Sequence, residues 1–365
     1  MPVDFNFKRH PTKGEQVKTR FVIFSFLLFS FLTGCSGSGG GSPFSPDKGG
    51  NLFGFSFTTY TSSSNAILSS DYRAVAYPPS AGSTYYAGSA DGLFSINVST
   101  EPPTFLKIAD AGLTNQSINS LLFETSGNLL IGTDYGLFRR NATTGAIQEV
   151  AGLETKRILS LALQSDGVIW AGLEDKTSNT RSIAKSSTGG FTFMGKAEGM
   201  TASSVVNIFV DEDGIMACGI GGTDGLFEAT VVSSGTNKFS LVSGTPLTAG
   251  ATCFFRTSTA WYLGAPGQGV FSTSNSGPSR KWTQILKDVT PNVMFQQKYN
   301  DQEYRYWVGT DKGLVLSYDA TTWHWFDKTN GLTLENCKGL FTTSEVWIAH
   351  PGPTGGITRG IFTGN

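Results

Sequence analysis

YWVGTDKGL, residues 306–314, contains the pattern that decides the fold. A bulky residue, one further residue and a glycine are followed by a short polar turn, a second glycine and an aliphatic residue. The pattern occurs in seven copies, and a glycine holds the first fixed position in all but the last. These positions are Gly88, Gly132, Gly172, Gly219, Gly264, Gly309 and Ala349. From Gly88 to Gly309, five steps cover 221 residues, so one repeat is about 44 residues long.

A repeat of about 44 residues that is built from short strands is typical of a four-stranded propeller blade. In the second repeat we predict strands at 117–123, 128–131, 137–140 and 146–150, joined by turns rich in Gly, Asp, Ser and Asn. The chain is 39% hydrophobic and 12% aromatic, which is enough apolar material for a core. The repeats therefore predict an all-β fold, a seven-bladed β-propeller of four-stranded blades over residues 52–365.

The two ends of the repeat region are predicted to complete one blade together. The last copy ends just after its third strand, at residues 360–363, so its outer strand is missing. Residues 52–58 alternate apolar with small or polar side chains ahead of the first repeat, as a half-buried strand does. We expect this strand to close the last blade, because pairing removes an open sheet edge.

The repeats resemble those of the two-component regulator propeller family. The resemblance is carried by residues 306–314, followed by YDATTW at 318–323 and GLT at 331–333, and it covers about residues 52–365. It implies a propeller that senses a ligand in the periplasm. In that family the propeller continues into a membrane span and a kinase, so we expect this chain not to signal alone. A weaker likeness, TSNSG at 273–277 with Trp282, is to the Asp-box of other propellers, which is a structural turn.

The first 51 residues indicate export and anchoring. Residues 1–34 have a basic start and an apolar run at 21–32, which is too short to span a bilayer and is typical of a signal peptide. LTGC at 32–35 resembles the bacterial lipobox, which implies lipidation of Cys35. The alternative is an ordinary signal peptide with a chance cysteine. Residues 35–51 are predicted to be a flexible tether, and Ser36 favours the outer membrane if the host is Gram-negative.

Five acidic residues recur in the turn between the second and third strand of a repeat: Asp91, Asp134, Asp175, Asp224 and Asp311. Such turns lie on one face of a propeller, so these carboxylates could surround one mouth of the central channel and bind a cation or cationic ligand. The alternative is turn chemistry, because Asp-Gly is a favoured tight-turn pair. Two of these turns are long, at 174–181 and at 350–359, and His350 at the start of the second joins the candidate site.

Other chemistry is not indicated. No catalytic motif, metal site or cofactor site is predicted, since only His324 and His350 occur in the repeats and a third ligand is missing. Cys218, Cys253 and Cys337 are an odd set in apolar strands, so we interpret them as small buried side chains, with a Cys218–Cys253 bridge as the alternative. The formal net charge of −1 predicts no nucleic-acid partner.

The sequence thus favours a lipid-anchored, non-enzymatic binding, scaffold or ligand-sensing module of the cell envelope, with a monomeric body. Its partner would be a protein, a peptide or a glycan. Two alternatives stay open. One is a propeller enzyme that acts on a polysaccharide or a lactone, and the other is an assembly factor for membrane protein complexes. A propeller fold does not choose among them, because propellers host unrelated activities.

Overall fold

A computed structural model of the chain describes residues 54–63, 69–80, 82–113, 116–174, 181–211, 214–222, 224–231, 237–274, 280–298 and 304–363. The predicted signal peptide, Cys35, the tether and Asp175 lie outside the described residues, as does most of the Asp-box-like stretch. Within those ranges, no helix has the length and apolar character needed to cross a membrane.

The described chain is all-β apart from two 3-10 turns, at Ala111–Leu113 and Lys196–Glu198. β1 (Phe55–Thr61) precedes the repeats. Repeats 1 to 3 form β2 (Tyr72–Ala76), β3 (Thr84–Ser89), β4 (Gly92–Asn97), β5 (Thr104–Lys107), β6 (Ile118–Phe123), β7 (Leu129–Thr133), β8 (Gly136–Arg140), β9 (Ile147–Glu149), β10 (Arg157–Leu163), β11 (Ile169–Glu174), β12 (Arg181–Ser187) and β13 (Gly190–Gly195). Repeats 4 and 5 form β14 (Ala202–Asp211), β15 (Gly214–Gly222), β16 (Gly225–Val231), β17 (Asn237–Leu241), β18 (Cys253–Arg256), β19 (Trp261–Ala265), β20 (Gly269–Thr273) and β21 (Thr283–Lys287). Repeats 6 and 7 form β22 (Pro291–Lys298), β23 (Tyr304–Thr310), β24 (Gly313–Ser317), β25 (His324–Phe326), β26 (Gly339–Thr342), β27 (Glu345–His350) and β28 (Gly356–Phe362).

Each repeat folds as an antiparallel meander in which consecutive strands are neighbours. Repeats 1, 2, 5 and 6 are four-stranded sheets of this kind. Repeats 3 and 4 are joined into one eight-stranded sheet by a single pair, Glu174 with Ser204. Sheets of four consecutive antiparallel strands are the units of a β-propeller.

The last sheet is closed by the first strand of the chain. Its order is β1-β28-β27-β26, and β1 pairs with β28 from Phe55–Phe362 to Thr61–Gly356. This pairing of the N-terminal strand with the last repeat was predicted and is confirmed. The strand begins at Phe55 rather than at residue 52, because β28 sets the register and Gly54, with a φ of 56°, turns the chain just before it.

The repeat glycine is required where neighbouring sheets approach. A Cβ on Gly88 would lie 2.4 Å from Ile118 at the start of the next repeat, and one on Gly132 would lie 2.7 Å from Ile158. Repeat 7 has Ala349 at this position and keeps the space in another way. The residue paired with Ala349 is Gly339, whereas the residue paired with Gly88 is Ala74. The small residue and the glycine have exchanged strands, which explains the one departure from the pattern.

The core lies between the sheets and is filled by the bulky residue two positions before the repeat glycine. Trp170, Trp307 and Trp347 are all buried, and each indole N–H donates to a side chain, so none is left unsatisfied. The packed sheets therefore form a rigid support for the first strand of each repeat, and those strands carry the candidate site.

Candidate binding site at the channel entrance

In five of the seven repeats, one residue near the start of the first strand falls out of the regular pairing. β-bulges leave Arg73, Asn119, Leu159, Val206 and Asn292 without a partner on the second strand. Thr252 and Lys338 hold the equivalent position in repeats 5 and 7, directly before the partners of Gly264 and Ala349. A bulge turns a side chain away from the two faces of its sheet. We call these seven residues the entrance ring.

Hydrogen bonds join members of the entrance ring to the next repeat. Arg73 donates from Nη1 to Asn119 Oδ1 at 3.1 Å, and Asn119 Nδ2 donates to the Ile158 carbonyl at 3.1 Å. The same link recurs elsewhere in the ring, where Asn292 Nδ2 donates to the Cys337 carbonyl at 3.2 Å. Side chains of the ring are half-buried, except Lys338, which is exposed. Since the sheets of a β-propeller surround a central channel, the ring is placed at one entrance of that channel.

The entrance lies on the face that carries the turn between the second and third strands. The Ala90 N–H donates to the Asp71 carbonyl at 2.9 Å, and the Asp134 N–H donates to the Ser117 carbonyl at 3.1 Å. These bonds join each turn to the residue that precedes or begins the first strand. The turns that hold the predicted carboxylates and the entrance ring thus share one face of the molecule.

Two arginines at the entrance are matched by carboxylates. Arg73 Nη2 lies 2.7 Å from Asp71 Oδ2. Burial raises the pKa of Asp71, but hydrogen bonds from Arg73 and from the Gly352 N–H lower it more, so this carboxylate stays ionised. Arg157 contacts two carboxylates, Asp134 at 2.7 Å and Glu174 at 2.6 Å.

Lys338 differs from both arginines. Within the part of the chain that the structure describes, its ammonium has no hydrogen bond and no ion pair. Desolvation lowers the pKa of Lys338, Cys253 opposes this shift and the positive charge of Arg73 adds to it. The side chain of Lys338 thus reaches solvent, while nearby protein atoms still disfavour its charged form.

The structure brings only one of the described acidic candidates into the entrance. Asp134 contacts Arg157 and accepts from Asn119 Nδ2 at 2.9 Å. Asp91 is exposed and accepts from Ser69 Oγ, and Asp311 is exposed and accepts from the Thr290 N–H at 2.7 Å. Asp224 is exposed beside Gly250. Turn hydrogen bonds thus account for the placement of Asp91 and Asp311, and an acidic ring stays a prediction.

His350 lies inside repeat 7 rather than on the surface of the entrance. Its Nδ1 is 3.0 Å from the Asn336 carbonyl, and its Nε2 is 2.9 Å from Thr358 Oγ1. A carbonyl only accepts, so Nδ1 carries the proton and Nε2 accepts from the hydroxyl. Burial lowers the pKa of His350 to about 4, so the ring is neutral and both nitrogens are occupied.

The cysteines and the possible metal ligands are the other groups with distinctive chemistry. The cysteines Cys218, Cys253 and Cys337 are buried free thiols, so the structure holds no Cys218–Cys253 bridge. Burial raises the pKa of each, which makes these thiols poor nucleophiles. Over the same residues, no group of three or more His, Cys, Asp and Glu side chains could hold a metal ion.

Sequence reasoning missed the entrance ring, although a signal for it exists. In repeats 1, 2, 6 and 7 a polar residue directly follows a buried one at the start of the first strand: Tyr72-Arg73, Ile118-Asn119, Pro291-Asn292 and Cys337-Lys338. Alternation alone would place these polar side chains on the packed face between sheets. In repeats 1, 2 and 6 this departure from alternation coincides with a β-bulge, and in repeat 7 it falls at the equivalent position.

Comparison with solved structures establishes the fold. The chain is similar to the extracellular domain of the one component system protein BT4673 from B. thetaiotaomicron, with a TM-score of 0.64, 18% identity, and coverage of 83% of this chain and 39% of that chain. It is also similar to PorZ, a surface component of the type-IX secretion system of Porphyromonas gingivalis (TM-score 0.60, 14% identity, 81% and 47% covered), and to virginiamycin B lyase from Staphylococcus aureus (TM-score 0.61, 10% identity, 84% and 99% covered). The chain thus spans about two fifths of the BT4673 domain. No known family profile and no curated protein matches it.

Proposed function

We propose that the chain is a lipid-anchored, seven-bladed β-propeller that binds a ligand at its channel entrance, as a non-enzymatic binding or sensing module of the bacterial cell envelope. The observation that carries this is the entrance ring. Polar and charged side chains from successive repeats meet there on rigid strands, in a channel open to solvent. A preorganised ring of this kind gives orientation and specificity to a ligand.

The number of blades is supported by the strand sets. The eight-stranded sheet consists of two meanders joined at one residue pair, so counting each meander as a blade gives seven, the number of sequence repeats. Membership of the two-component regulator propeller family rests on the repeat motifs and on the likeness in fold to the BT4673 extracellular domain. That likeness also supports a site outside the cytoplasm.

Two other functions have some support. Virginiamycin B lyase shares the fold over 99% of its own chain, which favours an enzyme acting on a lactone or a polysaccharide. PorZ is described as a component of a secretion system, which favours a role in assembling membrane complexes. Both are weaker proposals, because the entrance residues are held in ion pairs and amide hydrogen bonds that suit recognition more directly than acid–base chemistry.

Lipidation is tested by labelling. Cells that express the chain are grown with radiolabelled palmitate, and wild type is compared with Cys35→Ala. Label in the wild type alone supports lipidation of Cys35, while equal label in both proteins would contradict it.

The binding site is tested with libraries of glycans and peptides on the purified protein. Arg73→Ala is expected to lose binding of whatever ligand the wild type captures, with little change in melting temperature. The control is Arg139→Ala. This residue is paired with Glu124, which follows the first strand of repeat 2 and so lies on the opposite face. A ligand retained equally by both variants would place the site away from the entrance.

A further inference from the structure

We propose that Lys338, beside Arg73, binds one compact monoanion, a carboxylate of a small ligand, at the channel entrance. This rests on the proposed function and assigns to it the chemical class of the ligand. The proposed ligand is an anion, whereas the acidic turns of the sequence predict a cationic ligand.

The first argument is the missing counter-ion. Arg73 has Asp71, and Arg157 has both Asp134 and Glu174. Among the described entrance residues Lys338 is the cation with no such contact. Gly339, the next residue, packs against the backbone of Arg73, so the Lys338 ammonium lies near a second cation and is stabilised by an added opposite charge. The ligand can supply that charge.

The groups around Lys338 are neutral or already bound. Cys253 is coupled to it electrostatically, but burial raises the pKa of that thiol to about 12, so it is not a thiolate at neutral pH. Cys337, next in the chain, has a raised pKa as well. Glu335 lies 3.1 Å from Lys328, and His350 is neutral.

The second argument is the distribution of charge around the ring. Near repeats 7 and 1, Arg73 is paired with Asp71 and Asp91 accepts from Ser69 Oγ, so Lys338 is the cation of the ring that has no contact with a described carboxylate. Near repeats 2 and 3, two carboxylates face Arg157, so one negative charge is in excess. A monoanion is therefore attracted to Lys338 and repelled from the other side.

The remainder of the ring describes the rest of the ligand. Leu159, Val206 and Thr252 come from repeats 3, 4 and 5, on the side of the ring opposite repeats 7 and 1. They are half-buried, and two of them are apolar. The expected ligand is a small molecule with a carboxylate at one end and an uncharged body.

Competitive acetylation tests this with simple organic acids as probes. The full chain is treated with limiting acetic anhydride, and the modification of each lysine is followed by peptide mass spectrometry. The probes are sodium glucuronate and sodium hexanoate, each at saturating concentration, with glucose and hexan-1-ol as neutral counterparts. Lys312 is the internal control, since it is exposed on the same face and its ammonium is bound to the Asp288 carbonyl at 2.5 Å.

At least one carboxylate is expected to slow acetylation of Lys338 several-fold, while its neutral counterpart and Lys312 show no such change. Glucuronate protection would identify a sugar acid, and hexanoate protection would identify an aliphatic acid. Calorimetry with the protecting probe should show that Lys338→Gln weakens binding about tenfold or more, and that Lys312→Gln does not.

The anion site is overturned if Lys338 is acetylated at the same rate with and without both carboxylates. It is also overturned if a neutral counterpart protects Lys338 as well as the acid does, a result that leaves the binding module intact. The proposed function fails separately, when library ligands bind Arg73→Ala and wild type equally.

Discussion

The seam of the ring and the channel entrance use the same kinds of charged side chains in opposite ways. At the seam, where β1 meets β28, Arg359 is 7% exposed and contacts two carboxylates, Glu345 at 2.5 Å and Glu101 at 2.6 Å. At the entrance, Lys338 is exposed and contacts none of the described carboxylates. The seam arginine therefore has its counter-ions within the chain, whereas we propose that the counter-ion of Lys338 is supplied by a ligand.

The matched arrangement is not confined to the seam. Arg256 is also 7% exposed. Its Nε and Nη2 each donate to one carboxylate oxygen of Asp211, and this pair connects repeat 5 to repeat 4. Both arginines additionally lie over tryptophan rings, Arg359 over Trp347 and Arg256 over Trp261. Buried cations that hold sheets together are thus paired and stacked, and this makes the isolation of Lys338 informative.

The largest effect is expected from removing the seam strand. Deletion of Phe55–Thr61 leaves β28 with an open edge and removes two buried aromatic side chains, Phe55 and Tyr60. Each such loss costs about 3–5 kcal/mol, so the free energy of unfolding should fall by at least about 6 kcal/mol in urea denaturation. Ser56→Ala with Thr58→Ala is the matched control, because both residues of β1 are exposed. A deletion variant as stable as the control would show that β1 does not close the ring.

This strand also shows how far the sequence predicts the fold. Its existence and its partner follow from counting strands and from the alternation of apolar residues, and both are confirmed. The described strand is Phe55–Thr61, which ends three residues later than predicted, because pairing with β28 rather than alternation decides its length. Strand bounds in repeat 2 differ from the prediction by no more than two residues, because turn residues mark both ends there.

A smaller loss is expected at the seam arginine. Arg359→Ala leaves Glu345 without its bidentate partner, and removing one member of a buried ion pair costs about 3–5 kcal/mol. Arg139→Ala is the comparison, because its pair with Glu124 is 41% exposed on the arginine side and exposed pairs contribute about 1 kcal/mol or less. Urea denaturation of both variants measures the difference. Equal losses of unfolding free energy in the two variants would mean that burial does not make the Arg359–Glu345 pair more stabilising than an exposed pair.

His350 connects the seam to the entrance and makes stability depend on pH. Burial lowers its pKa to about 4, against about 6.5 in the unfolded chain. Below pH 6.5 the unfolded state binds a proton that the folded state does not, so stability is lost as pH falls from 6.5 to 4 and is full above 6.5. The total is about 3 kcal/mol. Urea denaturation between pH 7 and pH 4.5 should show this slope in the wild type.

His350→Gln is the control for the pH effect. The amide keeps hydrogen-bonding ability without titrating in this range, so its stability should change less over the same pH window. An equal slope in both proteins would assign the pH dependence to other groups. Asp71 is one such group, but because its folded-state pKa is lowered, its contribution is lost mainly below its unfolded pKa of about 3.9.

The candidate site was harder to predict than the fold, and the reason is physical. Asp134 lies in the turn between the second and third strands, a position that follows from the repeat. That Arg157 from the next repeat would neutralise it depends on how neighbouring sheets pack, which a single repeat does not encode. The entrance ring depends on β-bulges, and a bulge moves a side chain out of the alternation from which faces are predicted.

The smallest effect on stability is expected at Lys338. Its comparison with Arg359 separates a cation without counter-ions among the described residues from a cation that has them. Lys338→Gln removes no described hydrogen bond or ion pair, and it removes a cation that faces Arg73. The free energy of unfolding should change by no more than about 0.5 kcal/mol, in either direction, as at ordinary surface positions. Arg359→Gln also replaces a cation by a neutral amide, but this cation is paired with carboxylates, so the free energy of unfolding should fall by several kcal/mol. The two variants are compared by urea denaturation in one buffer free of organic acids. If Lys338→Gln costs as much as Arg359→Gln, then Lys338 has a partner within the chain, and its charge serves the fold rather than a ligand.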